Sequence, residues 1–442
     1  MTIPTSVTDN DLHDKSKDSR WHWCKWIPTS NTKLIQAEDK ILQRCECDFE
    51  KFFLPVYDSS LYLRTVIARN FPKSKPIHSE YEQRVPLVLI HGFASGVGLW
   101  CKNFDTLSAF RRVYAFDLLG FGRSSRPPFP NTAEEVENKF VEDIEEWRKN
   151  IKLDKFILLG HSMGGFIAAS YALSHPERIV HLVLIDPWGF IGQEENTTSF
   201  PSGVRGWVVK RLASFRALTT MRMIGPFGLN AMRKVRQDFG QVYFQTSAST
   251  NEPCEVNDDS HDFAHVSSWS AGKKRSVASK MGFSKASSFD SLSPYDSSVV
   301  YNYIYHINVR NPTGEDAFKN MSMLGWAVLP MLPRIRDLKA DVPITFIYGG
   351  RSWVDFSSGL RTRDLRPDSY VDVMVIEDGG HHAYAEYAEE FNNYVNTIAH
   401  LVDEGHVFHP GGEEAVQMAA ASSYHPTSTF NEINSSEVSP SK

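Results

Sequence analysis

Lys155-Phe-Ile-Leu-Leu-Gly-His-Ser-Met-Gly-Gly-Phe-Ile-Ala-Ala-Ser170 decides the fold. An apolar run ends at Leu159, a serine follows between glycines, and a segment of small residues opens at Gly165. Continuous apolar runs of this length suit a strand buried on both faces. The small residues beyond suit a helix packed tightly on that strand. Between them, Gly160-His-Ser-Met-Gly164 has the G-x-S-x-G spacing of a sharp strand-to-helix turn that exposes a serine hydroxyl. The glycines let neighbouring backbones approach, and the helix N-terminus favours a developing negative charge. The bland alternative is a structural turn with an idle serine.

Similar runs lie on either side: Pro86–Ile90, Val113–Asp117, His181–Ile185, Ile344–Tyr348 and Val371–Ile376. Leu54 to Arg69 reads as two strands around a turn at Asp58–Ser60. Helical segments are expected at Lys33–Gln43, Ala133–Asn150 and Gly165–Ser174. In the second of these, Val136, Phe140, Ile144 and Trp147 form one stripe. Strand–helix alternation predicts an α/β fold: a mostly parallel sheet covered by helices on both faces. The alternation breaks after Ile185 and resumes near Ile344, so a large insertion is expected there. Its first part, Val204 to Met223, has apolar residues on one helical face and basic residues off it. Thr246 to Ser298 holds fifteen serines and few aliphatics, the composition of a disordered loop.

The expected organisation is therefore as follows. Residues 1–50 carry a polar N-terminus, a Trp-rich segment and a short helix. The α/β core occupies 51–190 and 336–403. A lid insertion spans 191–335, including the loop 246–298, and 404–442 form a disordered tail. The chain has 442 residues, 41% of them hydrophobic and 23% charged, so it can fill a sizeable core. A net charge of −6 argues against a nucleic-acid partner. No apolar run approaches a bilayer span, and residues 1–20 show no secretory signal. Five scattered cysteines make neither a disulfide framework nor a zinc site. A cytoplasmic protein, at most peripheral to a membrane, is expected. Trp21, Trp23 and Trp26 within six residues read either as a satellite of the core or as an anchor at a lipid surface.

A serine hydroxyl needs a base. In the chain order Ser, acid, His, the base follows the last strand, where Glu377-Asp-Gly-Gly-His381-His382 stands. His381 is the expected base for Ser162. The acid is expected after Ile344–Tyr348, in Gly349-Gly-Arg-Ser-Trp-Val-Asp355. A common pattern puts Asp three residues after the first glycine, a place that Ser352 occupies. Asp355 is the one carboxylate of that loop and the expected acid. The rival reading makes it a loop-capping Asp with the acid supplied from elsewhere. Phe93, in His91-Gly-Phe93, and Met163 are expected to supply the two backbone N–H groups of an oxyanion hole.

Several longer stretches carry a resemblance. They are Phe116-Asp-Leu-Leu-Gly-Phe-Gly-Arg-Ser-Ser-Arg126, Glu134-Glu-Val-Glu-Asn138, Gly160-His-Ser-Met-Gly-Gly165 and Asp186-Pro-Trp-Gly-Phe190. Gly314-Glu-Asp-Ala-Phe-Lys-Asn-Met321 and Ala37-Glu-Asp-Lys40 extend it. With these the chain resembles the α/β-hydrolase subgroup of the lyso-N-acylphosphatidylethanolamine lipase and the lysophosphatidic acid acyltransferase-like triglyceride-lipase coactivator, over most of residues 20–402. The coactivator branch carries Asn at the elbow; Ser162 places this chain with the lipase branch. The resemblance implies a serine hydrolase of (lyso)glycerophospholipid esters, with a lipid substrate and a peripheral site at membranes or lipid droplets. The alternatives are acyl-CoA-dependent acyl transfer to lysophosphatidic acid, or regulation of a partner lipase at the droplet surface. The subgroup's His-x4-Asp acyl-transfer pattern is His381 and Glu386 here, a departure that weakens the transferase reading. An aminopeptidase on the same fold would need a site for a peptide amine, which no residue pattern identifies. No cofactor and no metal are implied: the Gly-rich turn lacks the dinucleotide spacing.

Overall fold

The computed structural model describes residues 26–70, 79–192, 218–244, 298–413 and 416–417. Trp21, Trp23, most of the basic amphipathic stretch and the serine-rich loop up to 297 lie outside them.

All the expected apolar runs are strands of one eight-stranded sheet. Its strands are β1 (Asp48–Val56), β2 (Leu61–Arg69), β3 (Leu87–Ile90), β4 (Val113–Phe116), β5 (Phe156–His161), β6 (Ile179–Ile185), β9 (Ile344–Gly349) and β10 (Val371–Ile376). Their order is β1-β2-β4-β3-β5-β6-β9-β10. β1 and β2 form an antiparallel hairpin and β2 meets β4 antiparallel; the remaining pairs are parallel. β7 (Ser322–Met323) and β8 (Trp326–Ala327) make a separate two-stranded ribbon. β1 begins six residues before Leu54, in a half-exposed stretch that does not read as an apolar run.

β3, β4 and β5 are buried at every position, because helices cover both faces. One cover is α1 (Asn31–Leu42), started by Ser30, whose side chain accepts from the Lys33 N–H at 3.2 Å. Another is α2 (Ala133–Ile151), capped by Thr132. The expected stripe of Val136, Phe140, Ile144 and Trp147 is fully buried. Each such side chain contributes roughly 1.5–3 kcal/mol relative to exposure. Trp147 also stacks on Phe116 at 4.5 Å and donates to the Thr65 hydroxyl at 3.1 Å. α3 (Met163–Ser174) runs from the end of β5, with Met163 to Ala172 buried.

Between β6 and β9 lie α4 (Gly228–Val235), α5 (Asp238–Phe244), α6 (Ser298–Asn308) and α7 (Thr313–Met321). α6 packs on α1 and on the loop after β3, where a Cβ on Gly98 would meet Tyr303 and Ile41 at 2.8 Å. Arg126 ties this layer to the sheet. Its guanidinium donates to the carbonyls of Gly120 and Asn311 at 2.7 Å, and of Gly122 and Ile307 at 2.9 Å.

α8 (Ser357–Leu365) follows β9, and α9 (Ala388–Asp403) ends the sheet region. The chain beyond α9 does not leave the body at once, contrary to a tail beginning at 404. Phe408 packs on His181 at 4.7 Å, Val416 is buried, and Gln417 donates to Asp372 at 2.7 Å. Its few apolar residues find His181 of β6 and Tyr370 just before β10, which polarity averaged over the segment conceals.

Candidate active site

Ser162 stands between β5 and α3 with φ +54° and ψ −121°, a conformation that L-residues rarely adopt. Three glycines make the turn physically admissible. A Cβ on Gly160 would lie 2.3 Å from the Gly164 carbonyl, and one on Gly164 would lie 2.5 Å from the His91 carbonyl. One on Gly92 would meet Ser162 Cβ at 3.1 Å. The loop after β3 is thereby pressed against the serine. Phe93 follows Gly92 in that loop. Met163 is the first residue of α3, so its N–H lacks an intrahelical acceptor.

The loop after β10 brings His381 to the serine: Nε2 lies 3.0 Å from Ser162 Oγ. Burial, aided by nearby His161 and Arg236, holds His381 well below the ordinary histidine range, so the ring is neutral at neutral pH and has a nitrogen open to a proton. His161 supports this loop from beneath, with Nε2 2.8 Å from the His381 carbonyl and its ring 4.8 Å from the His381 ring. Burial pushes His161 down to about 4. His91 is held at about 4 by burial; its Nδ1 bonds the Gly92 carbonyl and its Nε2 accepts from the Leu118 N–H. These contacts fix its neutral tautomer and brace the loop that carries Phe93. His382 turns away from Ser162, toward Phe239 of α5 at 5.1 Å.

Asp355 is not brought to His381. Its carboxylate accepts from the Ser357 N–H at 2.9 Å and the Ser357 hydroxyl at 2.6 Å, at the exposed start of α8. The free amides of that helix end take the side chain, the competing role for a loop aspartate. His381 Nδ1 instead lies 3.4 Å from the Ser352 hydroxyl. Beyond it lies Asp186, fully buried at the end of β6 and the start of the Asp-Pro-Trp-Gly stretch.

Glu386 does not face the imidazole either. Its carboxylate accepts from the Gly380 N–H at 2.5 Å and from the His382 backbone, cradling the loop that presents His381. Burial raises its pKa despite these bonds. An aromatic wall begins beside the serine. Phe93 stacks on Phe318 at 4.5 Å, Phe318 meets Trp188 at 4.7 Å, and the Trp188 backbone N–H bonds the Ser162 carbonyl at 3.1 Å. Trp353, half exposed, covers His381 at 5.1 Å. Among the described residues no group of His, Cys, Asp and Glu side chains is arranged to hold a metal ion.

Trp26 is held on one side and open on the other. Its Nε1 donates to the Met223 carbonyl at 2.8 Å and its ring covers Gly225, while 49% of the residue stays exposed.

Residues 85–388 match the model of the alpha/beta hydrolase fold. The chain is 40% identical over 379 residues to the 1-acylglycerol-3-phosphate O-acyltransferase ABHD5 of Rattus norvegicus, covering 85% of this chain and 91% of that one. It is 38% identical over 383 residues to the (lyso)-N-acylphosphatidylethanolamine lipase of Mus musculus, covering 85% and 94%. A membrane phospholipase A described as a bacterial virulence factor superposes with a TM-score of 0.50 at 19% identity, over 83% of this chain and 89% of that one, which bears on the fold alone. Both the expected sheet and the expected subgroup are borne out: the chain belongs to the α/β-hydrolase family, among the relatives of that acyltransferase and that lipase.

Proposed function

We propose that the chain is a serine hydrolase cleaving acyl esters of (lyso)glycerophospholipids, lyso-N-acylphosphatidylethanolamine among them, through an acyl-enzyme on Ser162. The observation that carries this reading is the 3.0 Å approach of a half-buried, neutral His381 to a serine on a strained turn. His381 Nε2 takes the hydroxyl proton as Ser162 Oγ bonds the ester carbonyl carbon. The same nitrogen returns the proton to the departing alcohol, then activates water to release the fatty acid. The N–H groups of Phe93 and Met163 receive the oxyanion, a contribution of about 3–4 kcal/mol for each donor in comparable sites. The Phe93–Phe318–Trp188 wall gives an acyl chain an apolar surface to lie on. The segment between β6 and β9 acts as the lid over it.

Acyl transfer is the same chemistry with a lysophosphatidic acid hydroxyl in place of water, and the relative named for that activity favours it as the second reading. Glu386 then serves by holding the His381 loop rather than by meeting the acceptor. The two are separated by incubating the protein with lysophospholipids and N-acyl forms, with and without acyl-CoA, and resolving products by mass. Free fatty acid from the lipids alone is expected, with acyl-CoA not required. Diacyl product formed only with acyl-CoA, and no fatty acid without it, contradicts the hydrolase reading.

The enzyme would work at a membrane or droplet surface, on the cytoplasmic side. Among the described residues no helix is long and apolar enough to cross a membrane. Trp21, Trp23 and Trp26 would supply an interfacial anchor, since indole rings sit at the headgroup boundary while the N–H keeps a partner. Replacing all three by alanine is expected to abolish flotation with liposomes while turnover of a water-soluble ester stays within twofold. Retained flotation together with a much lower melting temperature would make these side chains core instead.

A further inference from the structure

We propose that Asp186 at the end of β6 positions His381, acting through the Ser352 hydroxyl in a relay Ser162–His381–Ser352–Asp186, and that Asp355 has no part in it. The proposal rests on the serine-hydrolase reading and names the acid of that site.

The sheet order makes the relay feasible. β6 lies between β5, which ends one residue before Ser162, and β9, which ends three residues before Ser352. The Ser162 N–H bonds the Ile185 carbonyl at 2.9 Å, and the Asp186 N–H bonds the Ile347 carbonyl at 2.9 Å. The turn after β9 is pressed onto the His381 loop. A Cβ on Gly349 would lie 2.2 Å from the Gly380 carbonyl, and the Arg351 N–H bonds the Gly379 carbonyl at 2.9 Å.

The hydroxyl has the valences for a bridge: one donor and two acceptor sites. One acceptor site takes the Val354 N–H at 3.2 Å. The other faces His381 Nδ1. That leaves the O–H to donate to a carboxylate, and among the groups that offset the burial of Asp186 the Ser352 hydroxyl follows the Gly349 N–H. Asp186 Oδ2 accepts from the Gly349 N–H at 3.3 Å, while the buried Oδ1 has no hydrogen-bond partner and is the oxygen left for the Ser352 O–H to reach. Burial raises Asp186 well above the ordinary carboxylate range and lowers His381 below its own. Each charge is costly alone; when the imidazolium forms during attack, each compensates the other across Ser352. The proton from Ser162 stays on His381 Nε2. Nδ1–H donates to Ser352 Oγ, the Ser352 O–H donates to Asp186, and no further proton leaves its atom.

The test compares Asp186→Asn, Ser352→Ala, Asp355→Asn and the double variant Asp186→Asn/Ser352→Asp on a water-soluble p-nitrophenyl ester. Asn tolerates the φ of +41° at this position and can still accept from Gly349, so folding is retained. Asp186→Asn is expected to lower kcat by about 10²–10⁴-fold, the upper figure matching loss of the acid in well-studied triads, with KM within threefold. Ser352→Ala lowers kcat less, and Asp355→Asn stays within twofold. The double variant puts a carboxylate directly beside Nδ1 and recovers at least tenfold over Asp186→Asn. The His381 Nδ1 proton, read by NMR in ¹⁵N-histidine protein, should move upfield in Asp186→Asn and Ser352→Ala but not in Asp355→Asn. That readout stands even if wild-type turnover is absent, which would sink the hydrolase reading alone. An unmoved resonance in Asp186→Asn, or a kcat loss confined to Asp355→Asn, overturns the relay.

Discussion

Ser162→Ala is expected to lower kcat on a soluble ester by on the order of 10⁶-fold, the scale seen when a triad serine is removed. The residual rate would come from substrate binding and the oxyanion donors, which the substitution leaves in place. Folding should survive. Alanine meets the same backbone strain at φ +54°, and the lost hydroxyl makes its side-chain bond to His381. The melting temperature is expected within about 2 °C of wild type, because one hydrogen bond contributes only about 1 kcal/mol net. Turnover above a hundredth of wild type, in protein shown free of it, would remove Ser162 from the chemistry.

Glu38→Ala should produce the largest loss of stability. Glu38 of α1 is fully buried, and its Oε1 accepts from Arg64 Nε at 3.0 Å and from Arg123 at 2.6 Å. Both guanidiniums are buried and lie over the Phe53 ring. Burial by itself would lift the Glu38 carboxyl; the two arginines outweigh it and hold it below 4.5. Truncation removes the Glu38 carboxylate from two buried guanidiniums, and breaking such a buried pair costs about 3–5 kcal/mol. At roughly 2–4 °C per kcal/mol for a chain of this class, melting should fall by about 10 °C. The sign of the pH effect follows from the depressed pKa. The stabilisation is full above pH 4.5 and is lost as pH falls through the lower folded value. The gap between wild type and variant, followed by circular dichroism, should therefore narrow in acid. A gap below 2 °C at pH 7 would show the cluster to be neutral for stability.

The parallel sheet and the serine turn are legible in the chain because their signals are local. Four apolar residues in a row, Phe156 to Leu159, then G-x-S-x-G, then small residues, leave few other arrangements. His381 is legible for the same reason: it sits in a glycine loop just past the last strand. The acid is not. The loop after β9 offers one carboxylate, but Asp355 is taken by the amide and hydroxyl of Ser357, the first residue of α8, two residues on. The carboxylate that faces the site comes from β6, and only the strand order brings it beside Ser352. Ser352 standing where an aspartate is common was the available signal. Glu38, Arg64 and Arg123 are far apart in the chain and join only when α1 crosses the hairpin and the loop after β4. Periodicity marks α1 as a helix but does not show which partners its buried glutamate meets.

The most direct test of the account is mass spectrometry of the protein quenched in acid seconds after mixing with a lysophospholipid, followed by peptide mapping. One acyl group per chain is expected, an ester on the peptide that contains Ser162, absent in Ser162→Ala and chased away by further incubation in water. Steady release of fatty acid from a protein that never carries an acyl group, or an adduct on any other residue, would contradict it.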